Sequence, residues 1–248
     1  METSLIFRGV RRRHTIVLSL ALLLNGCSAG ESPERPAAAA ADAASQPAAA
    51  LPAPVTGQRT FAIVPGQSKA SYLANEEFFA GALNLLGMRP GKVGVVGSTQ
   101  AIEGQFQLDP ERPTAPLGDN RFTVRLNTLT SNQTKRDEYI REIRDDGGPS
   151  FDAYPVAAFK ATAIDGVSNP NAGGRELVLK LSGDLTVREI TRPMTFDVKA
   201  QLTGDTLTGV GTSRFQLRDF GIGPITFHDI LTVADDVGIE VQFTARAQ

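Results

Sequence analysis

Hydrophobic and polar residues alternate with a period of two along most of this chain. Such alternation is typical of β-strands that have one buried face. About eight to ten alternating runs, separated by turn residues, predict a single antiparallel all-β domain, either a sandwich or a barrel. The clearest runs are residues 102–108, 121–126, 177–187, 194–202, 207–217 and 237–245.

One strand register follows from the sequence. Gly204 and Asp205 predict a two-residue hairpin turn, which would pair Leu202 with Leu207. Each further pair joins two residues of the inner face, as a correct register requires. A shift of one residue would instead pair inner residues of one strand with outer residues of the other. The further pairs are Ala200 with Gly209, Val198 with Gly211, Phe196 with Ser213 and Met194 with Phe215.

Residues 126–159 form the one long interruption of the alternation. They predict a short helix around Arg136 and Asp137, followed by a Gly-Gly-Pro loop and a new strand at residues 154–155. Thr134 and Asp137 fit a capping box. Arg136 and Asp137 are expected to lock the helix to the barrel rim, and contact of Arg136 with a polar headgroup is the alternative. The segment should close or line one end of the barrel. The apolar face of the helix would consist of Tyr139, Ile140 and Ile143.

The predicted inner face is short of side chains. It contains Gly104, Gly183, Gly209 and Gly211, although glycine weakens a strand. Two explanations are compatible: glycines let strands bend to close a barrel, or they leave space for a ligand. An interior bounded by eight strands is filled by side chains or holds one small ligand.

A ligand in this interior should be largely apolar, because the inner residues are apolar and include no cluster of charge. A chain of two or more isoprene units, or a fatty acyl chain, would fit. The apolar residues 78–88 do not alternate. They predict a packed connection, a flap at the ligand entrance, or a surface that touches the bilayer while lipid is exchanged. Tyr72 and Tyr139 could contact a headgroup. The predicted lining is Tyr72, Phe106, Tyr139, Ile140, Ile143, Phe159, Leu179, Leu181, Phe196, Val198, Phe215 and Phe243.

The N-terminal region predicts export and a lipid anchor. Basic residues precede an apolar run at residues 15–24, which is too short to span a bilayer and is followed by Cys27 in a lipobox-like context. We expect residues 1–26 to be a lipoprotein signal peptide, with acylated Cys27 holding the protein in the periplasm, at the outer membrane. An ordinary signal peptide with an incidental cysteine is the alternative. Residues 27–58 are an Ala- and Pro-rich tether, and residues 59–248 form the domain.

Composition and the remaining motifs narrow the function classes. The formal net charge of −2 gives no reason to expect nucleic acid as a partner. His228 and Asp229 lack an accompanying nucleophile, and no Cys/His ligand spacing is present, so we expect no catalytic site, no metal and no cofactor beyond a bound lipid. The rival functions are an interaction protein with a packed barrel and an enzyme acting on a hydrophobic substrate. The sequence leaves the oligomeric state open, a dimer included.

Several short motifs, in their order and spacing, resemble the YceI-like family of bacterial periplasmic lipid-binding proteins over residues 59–248. The resemblance implies an extended, lipocalin-like antiparallel barrel of eight strands with an apolar pocket and a short helix between strands. It also implies binding of polyisoprenoid chains, isoprenoid quinones or other long amphiphiles, without a general catalytic set. The motifs are residues 74–79 (ANEEFF), 93–99 (VGVVGST), 102–106 (IEGQF), 129–132 (LTSN), 136–140 (RDEYI), 154–155 (YP), 159 (F), 181–187 (LSGDLTV), 191–194 (TRPM) and 219–222 (DFGI).

Overall fold

The computed structural model describes residues 57–85, 90–109, 112, 117–168, 175–227 and 230–248. These residues belong to one compact unit, Leu51–Gln248. The predicted signal peptide, Cys27 and nearly all of the predicted tether lie outside the described residues.

The described residues form twelve strands and two α-helices, with short 3-10 turns at Leu126–Thr128 and Leu217–Phe220. The elements are β1 (Arg59–Ile63), β2 (Lys69–Phe78), α1 (Ala80–Leu85), β3 (Gly91–Thr99), β4 (Ile102–Leu108), β5 (Arg121–Arg125), α2 (Thr134–Arg141), β6 (Val156–Ser168), β7 (Arg175–Val187), β8 (Ile190–Thr203), β9 (Thr206–Gln216), β10 (Thr226–Phe227), β11 (Leu231–Val233) and β12 (Asp236–Ala247).

The strands close into a barrel because β1 pairs with β4 on one side and with β12 on the other. Between them the order is β4-β5-β6-β7-β8-β9-β12, with every ladder antiparallel. After a turn at residues 64–68, β2 continues the line of β1 along β12, while β3 pairs with β2 and leads into β4. The predicted closed antiparallel barrel of eight strands is confirmed, with β1–β2 and β3–β4 as two interrupted strands.

The predicted hairpin register is confirmed over most of its length. Leu202 pairs with Leu207, Ala200 with Gly209 and Val198 with Gly211, as predicted. The expected pairs Phe196 with Ser213 and Met194 with Phe215 are absent from the described ladder, which ends at Asp197 with Thr212. Beyond that point the Ser213 hydroxyl donates to the Thr195 carbonyl oxygen at 2.7 Å, so a side-chain bond joins the strands where the ladder stops.

Three of the four inner glycines permit close approach of neighbouring strands and do not create free space. A Cβ at Gly104, Gly183 or Gly209 would lie 2.3–2.5 Å from a carbonyl oxygen of the adjacent strand. In each case a phenylalanine ring also lies within 3 Å of the position that this Cβ would take. Aromatic rings that cover strand glycines are a known means of stabilising curved sheets. The rings belong to Phe122, Phe159 and Phe243, respectively.

Gly211 differs from the other three glycines. A Cβ there would meet only side-chain atoms of Val198 and Phe196, at 3.6 and 3.7 Å, which is ordinary van der Waals contact. The position therefore has room for a side chain. Both explanations for the inner glycines apply, the bending of strands at three positions and free space at Gly211.

One end of the barrel is packed with side chains. Here β8 turns into β9, and Phe61, Leu207 and Ala245 are at most 2% exposed. Leu207 pairs directly with Leu202 and with Ala245 across its two ladders. This closed end leaves the opposite end, near the start of β12, as the one where an internal site can open.

We predict that Gly183→Ala lowers the free energy of unfolding by about 1–3 kcal/mol, because the added methyl collides with the Lys160 carbonyl oxygen. Gly94→Ala is the matched control, since its Cβ would meet only the Asn75 side chain at 4.0 Å. Urea titration followed by circular dichroism measures both. Equal stability of the two variants would show that Gly183 is not required by close packing.

Candidate functional site

The barrel encloses a cavity of about 780 Å³ with a largely apolar lining. Its volume lies within the usual range of small-molecule sites, ~300–1,000 Å³. The walls come from residues of all twelve strands, and helices α1 and α2 contribute further lining residues. An apolar molecule that enters this space would lose its contact with water on most of its surface.

Ten of the twelve residues predicted to line the interior do line this cavity. Contact of these residues with a ligand stays a prediction, because their placement alone does not test it. They are Tyr72, Phe106, Tyr139, Ile140, Phe159, Leu181, Phe196, Val198, Phe215 and Phe243.

Leu179 and Ile143 are the two exceptions. Leu179 is buried, but it belongs to the packed core and is not part of the cavity lining. Ile143 is 74% exposed, so its expected place on the apolar face of the helix is wrong. The reason is that α2 ends at Arg141 and Glu142 has a non-helical backbone (φ −57°, ψ 145°). The helical periodicity that would have aligned Ile143 with Tyr139 and Ile140 therefore stops too early.

Sequence reasoning missed part of the lining. Ile102, Val124, Val237 and Val241 lie in alternating runs, so the period of two was a usable signal for them. Residues 222–233 show no regular alternation, and their contribution could not be found from a pattern. The lining residues of this second group are Ile222, Ile225, Phe227, Ile230, Leu231 and Val233.

The cavity reaches solvent beside α1. Val93 and Ile230 line it and are nevertheless 48% and 43% exposed. Phe79 is 38% exposed and adjoins Ile230, whose carbonyl oxygen accepts its backbone N–H at 2.8 Å. Leu83 in α1 is 3% exposed and also lines the cavity, so the predicted apolar segment lies at the entrance. Residues 86–89 of that segment lie outside the described residues.

A two-fold hydrogen-bonded ion pair fastens α2 to the barrel wall. Arg136 Nε and Nη2 donate to Glu76 Oε1 and Oε2 at 2.6 and 2.9 Å. The Arg136 and Glu76 side chains are only 16% and 9% exposed. Arg136 Nη1 donates further to Ser131 Oγ and Asn132 Oδ1, each at 3.0 Å. The prediction that Arg136 locks the helix to the barrel is confirmed by these contacts.

The predicted capping box is wrong. Gln133 is the N-cap residue of α2, without a side-chain capping bond, and Thr134 is already helical. Asp137 is buried and instead accepts hydrogen bonds from the Ser131 backbone N–H and hydroxyl, at 2.9 and 2.7 Å. The carboxylate therefore fixes the turn that precedes the helix, beside the Arg136 ion pair.

Two tyrosines line the cavity near this cluster. The Tyr72 ring covers Gly97, its partner in the β2–β3 ladder. Burial raises the pKa of the Tyr72 hydroxyl above its usual value. Arg136 and a hydrogen bond with the Ser131 side chain partly offset this rise, and the Asp137 and Glu76 carboxylates add to it. The Tyr139 ring packs edge-on against Phe227, with ring centres 4.6 Å apart. Burial also raises the pKa of Tyr139.

Other chemistry has few candidate groups in the described part of the chain. There, no group of three or more His, Cys, Asp or Glu side chains is placed to hold a metal ion. No helix of the described ranges is long and apolar enough to cross a membrane. His228 and Asp229 lie outside the described residues.

Fold and site together define a small antiparallel barrel that keeps an apolar internal cavity open at one end. A family profile described as the YceI-like domain matches residues 63–245. The chain belongs to the YceI-like family, as the motifs in the sequence indicated.

Known proteins with similar sequences span most of the same domain. A UPF0312 protein of Vibrio parahaemolyticus is 28% identical over 167 residues, which are 63% of this chain and 80% of the relative. Protein YceI of Escherichia coli is 27% identical over 161 residues, covering 62% and 76% of the two chains.

Solved structures show a similar fold. The crystal structure of BcnA from Burkholderia cenocepacia matches with a TM-score of 0.53 and 22% identity, over 73% of this chain and 98% of BcnA. A polyisoprenoid-binding domain from Saccharophagus degradans matches with a TM-score of 0.49 and 12% identity, over 77% and 99% of the two chains. At 22% identity the likeness to BcnA concerns the fold alone.

We predict that Arg136→Gln lowers the free energy of unfolding by about 3 kcal/mol, because it leaves the Glu76 carboxylate buried without its partner. Arg214→Gln is the matched control, since Arg214 pairs with Asp236 on the exposed surface and such pairs contribute little. Thermal and urea unfolding measure both variants. A loss no larger for Arg136→Gln than for Arg214→Gln would contradict a fastening role.

Proposed function

We propose that this protein binds one long apolar molecule inside its barrel, and carries or sequesters that molecule in the bacterial periplasm. The observation that carries the proposal is the apolar cavity of about 780 Å³, open at one end and closed at the other. A polyisoprenoid, an isoprenoid quinone or a fatty-acyl amphiphile fits this lining, and family membership supports the same ligand class. The function is burial of the ligand, and no bond is made or broken.

The size of the ligand follows from the energetics of burial. Ten methylene groups transferred from water into the cavity contribute a gross ~8 kcal/mol at ~0.8 kcal/mol each. Ordering the ligand and losing its free motion offset part of this gain. If those costs were absent, a gain of ~8 kcal/mol would correspond to a micromolar dissociation constant. With the costs included, binding of a ten-carbon chain is weaker than that. The bound chain should therefore contain at least two isoprene units, or be a fatty acyl chain.

The cavity also argues against the alternative function, an interaction protein whose barrel is packed with side chains. A solidly packed interior would have bulky residues opposite one another at mid-barrel. Here Gly211 lies opposite Val198, and both line open space. A ligand-holding interior explains this arrangement, since a Cβ at Gly211 would make only ordinary van der Waals contacts and close packing does not require the glycine.

We predict that the purified protein releases an isoprenoid, quinone or acyl lipid on extraction with organic solvent, detected by mass spectrometry. Gly211→Leu should reduce the amount of that lipid at least several-fold, because the new side chain occupies the cavity. Gly94→Leu adds the same atoms at an exposed position and should leave the amount unchanged. Absence of any lipid, together with failure to bind added lipids, would refute the proposed function.

Membrane attachment through Cys27 is part of the proposal. A single acyl chain binds membranes only marginally, whereas the several chains of a mature lipoprotein form a stable anchor. We predict that Cys27→Ser moves the expressed protein from the membrane fraction to the soluble periplasmic fraction. Ser28→Ala, a neighbouring change that keeps the cysteine, should leave it attached. An unchanged distribution of Cys27→Ser, with no acyl mass on the wild-type chain, would contradict the anchor.

A further inference from the structure

Apolar side chains at the entrance of the cavity are exposed to solvent. We call Phe79, Val93 and Ile230 the entrance rim, because all three are large exposed hydrophobic residues at this opening. Val93 and Ile230 also line the cavity, and a backbone hydrogen bond joins Phe79 to Ile230. A cluster of exposed apolar residues marks an interaction site more often than isolated ones do. Here the exposed cluster is continuous with the interior wall of the cavity.

The chain segment beside the rim carries no charge. Residues 78–88 (FFAGALNLLGM) include no Asp, Glu, Lys or Arg. In the described part of this segment Phe79, Ala80 and Gly81 are exposed, while Leu83 lines the cavity. An apolar surface that approaches this segment would therefore not have to remove water from a charged group.

The charged residues of the described lining lie close together, in α2 and in the last part of β2. They are Glu76, Lys135 and Arg136. Arg136 is neutralised by its bonds with Glu76, and Lys135 lies 3.1 Å from Glu138. Lys92, next to the rim, lies opposite a glutamate in the β2–β3 ladder. These cations do not form a positive patch of the kind that attracts anionic headgroups. Attraction between the entrance and a partner must therefore come from the apolar rim.

The proposed ligand class indicates which partner fits this rim. Long isoprenoid and acyl chains dissolve in bilayers, and exposing about ten methylene groups to water costs ~8 kcal/mol, at ~0.8 kcal/mol each. A ligand that left the bilayer through water would meet this cost before it reached the cavity. If the rim touches the bilayer, the ligand moves from one apolar surface to another and stays out of water. The continuity of rim and lining provides that path.

The place where the N-terminal segment joins the domain permits such contact. β1 begins at the closed end, where Arg59 forms an ion pair with Asp205 of the turn between β8 and β9. The entrance lies at the opposite end of the barrel. Residues 27–58 reach up to ~100 Å when fully extended, whereas residues 59–78, which run along the wall to the entrance, span at most ~70 Å. The anchor at Cys27 proposed above would therefore leave the domain free to turn its entrance towards the membrane.

We propose that the entrance rim docks on the surface of a lipid bilayer, and that the ligand passes between bilayer and cavity through this contact without crossing water. The partner is the lipid surface itself, recognised by apolar contact and not by charge. The route of the ligand rests on the proposed function, whereas docking of the rim needs no bound ligand. A protein that covers the rim is the competing occupant, and it would leave the rim unaffected by pure lipid vesicles.

The first experiment places a fluorescent reporter on the rim. The chain contains no tryptophan, so one introduced indole reports its own surroundings. Phe79→Trp labels the rim, and Thr203→Trp labels an exposed position at the closed end. Both proteins also carry Cys27→Ser, so that acyl chains cannot cause the association. On addition of dibrominated phosphatidylcholine vesicles, emission of the rim tryptophan should shift to shorter wavelength and be quenched, and that of the control should not change. Unchanged emission of the rim tryptophan would overturn the inference.

The second experiment measures uptake of a ligand from vesicles by delipidated Cys27→Ser protein. Phosphatidylcholine vesicles carry NBD-labelled geranylgeraniol and a rhodamine-lipid quencher, so NBD fluorescence rises when the ligand leaves for the protein. Transfer by contact accelerates in proportion to protein concentration, whereas transfer through water is limited by spontaneous desorption of the ligand. We expect the rate to rise with protein concentration. A rate that stays at the desorption rate at every protein concentration would contradict transfer by contact.

A charge on the rim tests its role in uptake. Phe79→Glu leaves the described cavity lining unchanged, because Phe79 is not part of it. This variant should slow uptake at least about tenfold, since a carboxylate resists entry into lipid, and should keep the equilibrium affinity for the ligand in detergent within about twofold. Thr203→Glu adds the same charge at the closed end and should change neither quantity. An unchanged uptake rate in Phe79→Glu, or equal losses of rate and affinity, would show that the rim does not act by docking.

The two experiments separate this inference from the proposed function. If the protein takes up no labelled ligand and no lipid is extracted from it, the proposed function fails, and the proposed route of the ligand fails with it. The rim tryptophan still decides whether this surface contacts a bilayer, because its emission does not depend on a ligand.

Discussion

Closure of eight antiparallel strands is the constraint on which the other features depend. A ring of this size is strongly curved, and the curvature crowds backbone atoms of neighbouring strands at some positions. Gly104, Gly183 and Gly209 permit that approach, and phenylalanine rings cover the exposed backbone. These rings, together with the packed end formed around Phe61 and Leu207, fill the part of the interior near the turn between β8 and β9. The remaining space is a cavity with a single polar region and an opening beside α1.

Near the open end, the wall of the barrel is not made of strands alone. β5 is only five residues long. After β5 the chain is joined to β3 only by the isolated bridge between Ser98 and Thr130. Helix α2 covers this part of the wall and is held by side-chain bonds, chiefly those between Arg136 and Glu76. The groups that fasten the helix are therefore the same groups that determine the charge at the polar end of the cavity.

Sequence reasoning succeeded where a local pattern determines the structure. The period of two revealed the strands, and Gly204 with Asp205 determined a register that Leu202 and Leu207 confirm. It failed where the outcome depends on distant neighbours or on where an element ends. Nothing local distinguishes Gly209, which is covered by a ring from β12, from Gly211, which has open space. Ile143 has the right spacing for the helix face, but the helix ends before reaching it. The Glu76–Arg136 pair joins residues 60 positions apart, so no spacing rule could have revealed it.

The cavity has a thermodynamic consequence for the whole domain. A molecule that occupies it contacts the folded barrel and has no comparable site on the unfolded chain. Binding then adds a term RT ln(1 + [L]/Kd) to the free energy of unfolding, where [L] is the concentration of free ligand. Under the proposed function, folding stability is therefore not a fixed property of this sequence: the same chain has one melting temperature where an apolar ligand is abundant and a lower one where that ligand is scarce.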